Sequence, residues 1–467
     1  MRRIPIMLLM LAATSVPAAD EYLVEWGEVA DESIRFMVDL IKIDSSNPPG
    51  NETIVANYLH DALATEGIRS DRYALDPDRA NLVAKHRGNG SKRPILIMGH
   101  TDVVGVQRDQ WSVDPFAAVQ KDGYIYGRGS LDDKDNVTAG LMVMLLLKRF
   151  EVPLDRDIIF LAESGEEGTP QVGVTFMVEN HWDVIAAEFC LAEGGYVREQ
   201  DDEVEVVGIQ TTEKMPRRAN LVARGTAGHG SRPRVDNAVT ILASAVARVG
   251  VWQTPLRLNG TTSAYFERMA TLAEGEAAFR YGNIADPAHQ DSIQDYFRNN
   301  DPYHYSVLRT SVVPTIMKAG FRKNVIPSEA RATLDIRMLP DEDVEGFYGE
   351  LAKVIGDPRV EIVPEEIYRP GAPPSEIDNE MFQTLEKVSK QMYPESTTLP
   401  VMSTGATDMA QIRAKGTQAY GLGPMRTLEE MNSRFGAHSD DERISEESLL
   451  KMVQFLWYTI LEIAATR

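Results

Sequence analysis

Apolar residues in the first half of the chain follow two alternating patterns. A spacing of three and four residues, which is typical of amphipathic helices, covers 33–43 and 51–64, and a strongly apolar helix is predicted over 137–147. Short continuous apolar runs are typical of strands buried on both faces. These runs are 81–85, 94–98, 158–161 and 189–191. Because strands alternate with helices, the pattern predicts an α/β fold, in which helices cover both faces of a sheet.

The pattern changes after about Glu213. A polar and aromatic stretch, 261–309, separates two groups of predicted elements. These are a strand at 220–224, a glycine-rich loop at 225–233, a helix at 236–252, and strands at 311–318 and 329–337. We predict that 214–327 is an inserted second domain and that 20–213 and 328–467 together form the first domain.

Composition and charge limit the classes of partner. The chain has 467 residues, of which 43% are hydrophobic and 25% charged, as in ordinary globular proteins. Its formal charge of −22 argues against binding to nucleic acid or to an anionic membrane surface.

The N-terminus resembles a secretory signal peptide. Arg2 and Arg3 precede the apolar stretch 4–13, and residues 16–19 are small at a predicted cleavage site, so we assign residues 1–19 to the signal. The apolar stretch is too short to span a bilayer. We therefore expect export to the periplasm or the medium, with no membrane association after cleavage. An uncleaved anchor and a buried N-terminal helix are the alternatives.

Candidate metal ligands follow the predicted strands. His100 follows one strand, the pair Glu166 and Glu167 follows another, and Glu193 follows a third. In open α/β sheets the site lies beyond the carboxyl ends of the strands, so these side chains should meet. Imidazoles and carboxylates suit borderline divalent ions such as zinc, and two such ions can activate water for amide hydrolysis.

Each candidate also has a simple structural explanation. Asp102 lies two residues beyond His100 on the same side of an extended segment, where it can orient the ring or belong to a turn. Asp132 can be a helix cap, and the adjacent pair of glutamates can be solvated surface. Glu193 can be a turn residue, and His438 lies in an acidic stretch. The metal hypothesis therefore depends on all of them occurring in order on one framework.

The ordered motifs resemble those of the dizinc aminoacylase and carboxypeptidase family, which includes carboxypeptidase G, carboxypeptidase S, aminoacylase-1 and succinyl-diaminopimelate desuccinylase. The resemblance covers nearly the whole chain after residue 19, and its motifs occur in the family's order. They are Gly99-His100-Thr101-Asp102, Gly129-Ser130-Leu131-Asp132-Asp133-Lys134, Gly165-Glu166-Glu167-Gly168, Ala192-Glu193-Gly194, Gly228-His229-Gly230-Ser231, Asn324-Val325-Ile326-Pro327, Asp335-Ile336-Arg337 and Ala437-His438-Ser439-Asp440.

The resemblance implies a role for each matched residue and two bound metal ions, zinc first, with cobalt or manganese as alternatives. It implies His100 as a ligand of one ion, His438 of the other, Asp132 as the bridging carboxylate, Glu167 and Glu193 as one further ligand each, Glu166 as general base, Asp102 as the orienter of His100, His229 as a residue acting in a partner subunit's site, and Arg337 and Asn324 as substrate-binding residues. The family often has a cis bond at the position of Asp132–Asp133. The resemblance also implies a zinc-peptidase-type catalytic domain with a mixed sheet over 20–213 and 328–467, and an inserted α+β lid and dimerisation domain over 214–327. It implies a homodimer, and a small peptide or N-acyl amino acid as substrate.

The chain departs from the family pattern at Asp135 and Met215, where the family often has glycine. Neither change removes a ligand, but both leave the substrate open. Three functions therefore remain: an amide hydrolase acting beside a free carboxylate, an aminopeptidase that recognises a free amine, and an exported binding protein without catalysis. Arg337 favours the first of these, and a retained base at Glu166 argues against the third.

Overall fold

The computed structural model describes residues 22–366, 369–431 and 433–466. The predicted signal peptide, 1–19, lies outside the described residues. A short 3₁₀ helix covers Arg108–Gln110. The α-helices are α1 Trp26–Lys42, α2 Glu52–Thr65, α3 Lys134–Arg149, α4 Val174–Asn180, α5 Trp182–Ile185, α6 Ala238–Val251, α7 Gly260–Leu272, α8 Gly275–Gly282, α9 Gln290–Asn300, α10 Pro302–Val307, α11 Val344–Ile355, α12 Glu380–Met392, α13 Met409–Ala414, α14 Leu428–Met431 and α15 Glu446–Ala464.

The strands form one large sheet, one four-stranded sheet and three small ones. They are β1 Ser46–Asn47, β2 Ser70–Ala74, β3 Ala80–His86, β4 Ile95–His100, β5 Val103–Val104, β6 Val119–Lys121, β7 Tyr124–Tyr126, β8 Ile158–Glu163, β9 Phe189–Ala192, β10 Tyr196–Gln200, β11 Glu203–Glu213, β12 Met215–Arg224, β13 Gly228–His229, β14 Ser311–Ala319, β15 Val325–Ile326, β16 Glu329–Met338, β17 Val360–Pro364, β18 Thr397–Ser403, β19 Gln418–Gly421, β20 Met425–Thr427 and β21 Arg443–Ser445.

The large sheet is mixed, in the order β2-β3-β8-β4-β9-β19-β11-β10-β20, and β18 pairs with β11. Its centre, β8-β4-β9-β19, is parallel, so these strands end at one edge of the sheet. Successive side chains of a strand point to opposite faces. Ile95 and Ile97 accordingly pack with α3 and α15, whereas Leu96 and Met98 pack with α4 and α13. The predicted α/β fold is therefore confirmed.

The second sheet is antiparallel, in the order β14-β16-β12-β17, and α6 and α11 cover one of its faces. The predicted end of the inserted domain at Pro327 is wrong, because β16 and β17 belong to this sheet. In β16 the buried residues alternate with less buried ones, as expected for a sheet covered on one side. Sequence alone could not assign β16 to this sheet, because its period matches a strand of either sheet.

The stretch 261–309 forms four helices, α7–α10, and these do not pack with the four-stranded sheet. Phe266, Phe297 and Val307 pack against Val206 and Leu399 of the large sheet. The predicted segment 214–327 therefore combines elements of two bodies. We call β12–β17 together with α6 and α11, but without α7–α10, the lid. No helix in the described part of the chain is apolar and long enough to be a candidate for crossing a membrane.

Candidate active site

Three neighbouring parallel strands deliver the candidate ligands to one edge of the large sheet. His100 is the last residue of β4, Glu166 and Glu167 lie in the loop after β8, and Glu193 directly follows β9. Because β8, β4 and β9 are adjacent, their carboxyl ends lie side by side. The strand-end argument from sequence therefore describes the observed arrangement of these residues.

Asp132 and His438 join this cluster from outside the sheet. The two carboxylate oxygens of Asp132 contact different histidines: Oδ1 lies 2.9 Å from Nε2 of His100, and Oδ2 lies 3.0 Å from Nε2 of His438. Nε2 of His438 also lies 2.9 Å from Oε1 of Glu167. The Asp132–Asp133 peptide bond is cis. Asp132 thus stands between the two histidines, the position that a bridging carboxylate needs.

Asp102 holds the His100 ring through its main chain rather than through its carboxylate. Nδ1 of His100 lies 3.0 Å from the Asp102 carbonyl oxygen, against 3.5 Å from Oδ1. Since a carbonyl only accepts, Nδ1 carries the hydrogen and Nε2 faces the acids. The Asp102 carboxylate instead accepts the N–H groups of Glu166 and Glu167, each at 3.1 Å. Asp102 therefore also fixes the loop that carries the two glutamates, which sequence reasoning missed.

The donor set fits divalent metal ions. Ligand atoms of His100, Glu166 and Glu193 lie within 4.8 Å of one another, and so do those of His100, Asp132 and Glu167. Two imidazoles with several carboxylates suit zinc, cobalt or manganese better than magnesium or calcium, which prefer oxygen alone.

The electrostatics of the cluster also favour bound cations. Burial raises the pKa of both Glu166 and Glu193 well above the usual value of a glutamate, and the charges of neighbouring acids raise it further. Hydrogen bonds to Asp132 and Glu167 raise the pKa of His438 to about 10. A bound cation would stabilise the ionised form of such crowded carboxylates.

Supporting residues that the sequence did not reveal surround the cluster. Oδ2 of Asp133 accepts the backbone N–H of His100 at 3.1 Å, and burial raises the pKa of Asp133 to about 7. Glu442 accepts the Leu131 N–H at 2.8 Å and pairs with Arg128, which fastens the His438 segment beside Asp132. Spacing gave no signal for these contacts, since 311 residues separate Leu131 from Glu442.

An open cleft of about 500 Å³ lies between the cluster and the lid. Arg218 and Arg337 line it from the uncovered face of the lid sheet. Arg337 also pairs with Asp335 on its own strand, through Nε to Oδ1 at 2.8 Å and Nη2 to Oδ2 at 3.3 Å. Arg337 therefore faces the cleft and also has an acid partner on its own strand.

His229 and Asn324 lie together elsewhere on the lid. His229 is the last residue of β13 and Asn324 directly precedes β15, and the Gly230 N–H donates to the Asn324 carbonyl at 2.8 Å. His229 is exposed, and neither residue is among the described residues that line the cleft. The Ser231 N–H donates to Nδ1 of His229, so Nε2 carries the hydrogen and can act as a donor.

Comparison with known proteins agrees with this geometry. The human N-fatty-acyl-amino acid synthase/hydrolase PM20D1 is 28% identical over 92% of this chain and 86% of its own. A probable carboxypeptidase S-like 2 from Dictyostelium discoideum is 29% identical over 79% of this chain and 72% of its own. The crystal structure of an M20 family metallo-carboxypeptidase from Sulfolobus solfataricus superimposes with a TM-score of 0.69 over 93% of this chain and 99% of that one. At 19% identity this last likeness shows the fold alone.

Histidines and carboxylates gathered at the strand ends of an α/β sheet, facing an antiparallel lid, define a metallopeptidase-type hydrolase. The chain belongs to peptidase family M20/M25/M40, whose model matches residues 96–462. The resemblance stated from sequence is therefore confirmed. The protein is an enzyme of this hydrolase family, whose members act on amide or peptide bonds and depend on metal.

Proposed function

We propose that the protein is a two-metal hydrolase that cleaves an amide or peptide bond beside a free carboxylate. Its substrates are small peptides or N-acyl amino acids. The observation that carries the proposal is the convergence of His100, Asp132, Glu167, Glu193 and His438 at one sheet edge, across a cleft from lid arginines. The printed names of the relatives, an N-fatty-acyl-amino acid hydrolase and a carboxypeptidase S-like protein, support the same class of substrate.

Two sets of residues would hold the ions. His100 with Glu193 forms one set, His438 with Glu167 forms the other, and Asp132 belongs to both. Zinc is our first choice, with cobalt or manganese as alternatives. Bound ions would lower the pKa of a water molecule and polarise the scissile carbonyl.

Glu166 is the group that moves the proton in this proposal. It lies beside the ligand cluster, 9% of its side chain is exposed, and it lines the cleft. Its carboxylate accepts a proton from the attacking water and then donates that proton to the nitrogen of the leaving amine. Asp102 holds the backbone of Glu166 and Glu167 together, so base and ligand keep a fixed relation.

Arg337 is the proposed partner of the substrate carboxylate. Asp335 engages Nε and Nη2, which fixes the plane of the guanidinium and directs its remaining N–H groups. A planar fork of this kind suits a carboxylate better than the point charge of lysine does.

For Arg337→Lys we expect KM to rise about tenfold or more, because charge-assisted hydrogen bonds worth about 1.5–3 kcal/mol are weakened. Amidated substrates should be equally poor for the wild type. The matched control is Arg331→Lys: Arg331 is on the same face of β16 but pairs with Glu329, and its KM should stay within about twofold. Equal turnover of free-acid and amidated substrates would contradict the assignment of Arg337 as the partner of the substrate carboxylate.

A homodimer through the lid is a further part of the proposal. β14 is an edge strand of the lid sheet, and its outer side pairs with no strand among the described residues. Its residues Val313, Ile316 and Met317 are 53%, 49% and 54% exposed. An exposed apolar edge strand is a template for pairing with another chain. We propose that His229, which lies away from its own cleft, serves the partner's site as a donor to the carbonyl oxygen.

Mixing two inactive variants tests this role of His229. Glu166→Gln and His229→Ala should together regain about a quarter of wild-type activity, since half of the dimers are mixed and each has one complete site. The control mixture, Glu166→Gln with His100→Ala, should stay inactive because both residues act within one chain. If subunits exchange and the first mixture also stays inactive, the role in trans is rejected.

An aminopeptidase is the second candidate. Glu365 and Glu366 also line the cleft, and acids of this kind can hold the ammonium group of a substrate. Comparing a dipeptide with its N-acetylated form separates the two. The main proposal requires that the acetylated form be cleaved, and an aminopeptidase requires the free amine.

We also propose that the protein is exported to the periplasm or the medium, on the basis of the predicted signal over residues 1–19. N-terminal sequencing of the mature protein should start at residue 19 or 20. An intact Met1 on the folded protein would contradict export by cleavage.

A further inference from the structure

Arg369 lies where the chain returns from the lid to the large sheet. β17 ends at Pro364, and at Ser375 the backbone is again bonded to β11 through the Thr211 carbonyl. The Arg369 side chain is 16% exposed and reaches the loops at the sheet edge. The chain between β17 and Ser375, which carries Arg369, is thus one of the connections between the lid and the large sheet, and we call it the lid connection.

The guanidinium of Arg369 bonds to the base itself. Nη2 donates to the carboxylate oxygen Oε1 of Glu166 and, at 3.1 Å, to the Glu166 carbonyl. The same nitrogen lies 3.2 Å from Oδ1 of Asp408, and Nη1 donates to the Ala406 carbonyl at 3.3 Å. Asp408 is 1% exposed, so the guanidinium is anchored on a buried acid.

These contacts differ from those of the other cleft arginines. Arg337 pairs within its own strand, whereas Arg369 joins three segments: the base loop, the 406–408 loop and the lid connection. Its own carbonyl accepts a hydrogen bond from Arg217 of β12 at 3.1 Å, so its main chain is tied to the lid. One oxygen of Glu166 is held by the guanidinium, which leaves the other for proton transfer.

We propose that Arg369 is a positioning residue that holds the Glu166 carboxylate in the orientation needed for proton transfer. This rests on the proposed function, in which Glu166 is the base. Arg369 acts on kcat through Glu166; substrate affinity and metal content do not depend on it. A misplacement of about 1 Å of a reacting group can cost about 10²-fold in rate, which sets the expected effect.

The test uses the full chain loaded with zinc and an N-acyl amino acid. Arg369→Ala should lower kcat about 10²-fold, with KM within about threefold and metal content unchanged. Added guanidinium at a concentration that leaves the protein folded should restore part of kcat. Arg369→Lys, which keeps the charge but loses the planar fork and the second nitrogen that donates to the Ala406 carbonyl, should fold and lose about tenfold in kcat.

A double variant shows whether Arg369 acts through the base. In the Glu166→Gln background, Arg369→Ala should change kcat by less than about twofold, because the group it positions is already gone. The control is Arg217→Gln, which loosens the same connection without touching Glu166, and its kcat should stay within about threefold of wild type.

Four results would overturn the proposal: an effect of Arg369→Ala confined to KM, loss of metal, additivity with Glu166→Gln, or an equal loss in Arg217→Gln. Wild-type kcat in Arg369→Lys would show that the planar guanidinium is not required to position Glu166. Full activity of Glu166→Gln alone would overturn the base assignment, and with it this proposal. That outcome is distinguishable, because it appears without any change at Arg369.

Discussion

The Glu166→Gln variant should lose about 10²–10⁴-fold in kcat while both metal ions stay bound. Glutamine keeps the size and the polar contacts of the side chain but cannot accept the proton of the attacking water. The Glu166 backbone N–H remains bonded to Asp102, so the loop should keep its position. Turnover measured together with metal content and melting temperature checks this expectation.

The sharpest control is the neighbouring residue. Glu167→Gln changes the same functional group one position away, but Glu167 contacts His438 at 2.9 Å and is a proposed ligand. It should lose metal affinity as well as activity, whereas Glu166→Gln should lose activity alone. If both variants lose metal equally, Glu166 is a ligand and another group moves the proton.

The Asp132→Asn variant should lose at least about 10³-fold in activity and at least one of the two ions. Each carboxylate oxygen of Asp132 faces a different histidine, and an amide offers only one oxygen. A single substitution should therefore damage both halves of the site, which no other ligand substitution is expected to do.

Metal content and activity, measured at equal zinc concentration, check this prediction. Asp295→Asn, an exposed change on α9, serves as the control and should behave as wild type. Wild-type activity and two bound ions in Asp132→Asn would show that Asp132 does not bridge.

The positions of the candidate ligands at the strand ends were predictable because a simple geometric rule governs them. Buried parallel strands appear in sequence as apolar runs, and polar residues directly after adjacent runs meet at one edge. His100, Glu166, Glu167 and Glu193 all satisfy that rule. His438 does not, and only the family resemblance indicated it; the structure places it 3.0 Å from Asp132.

Residues that act through long-range contacts left no such signal. Arg369 is in a short connection next to prolines and glycine, and nothing in its spacing indicates that it reaches Glu166, 203 positions earlier. The role of Asp102 was only partly predicted, since an H-x-D pattern does not distinguish a carboxylate contact from a carbonyl contact.

The lid boundary was missed for a related reason. The period of two in β16 fits the edge of either sheet, and only pairing with β12 assigns it to the lid. The sequence also places the polar and aromatic stretch 261–309 inside the inserted domain, but its helices pack against β11 and β18 of the large sheet. Pairing partners that are far apart in sequence are set by the tertiary fold rather than by local pattern.

Titrating zinc into chelator-treated protein, while hydrolysis of an N-acyl amino acid is followed, tests whether the protein is a two-ion amide hydrolase. We expect no measurable turnover without metal and a rise that reaches its plateau at two equivalents of zinc per chain. Full turnover in the metal-free protein, or a plateau with no zinc bound, would contradict it.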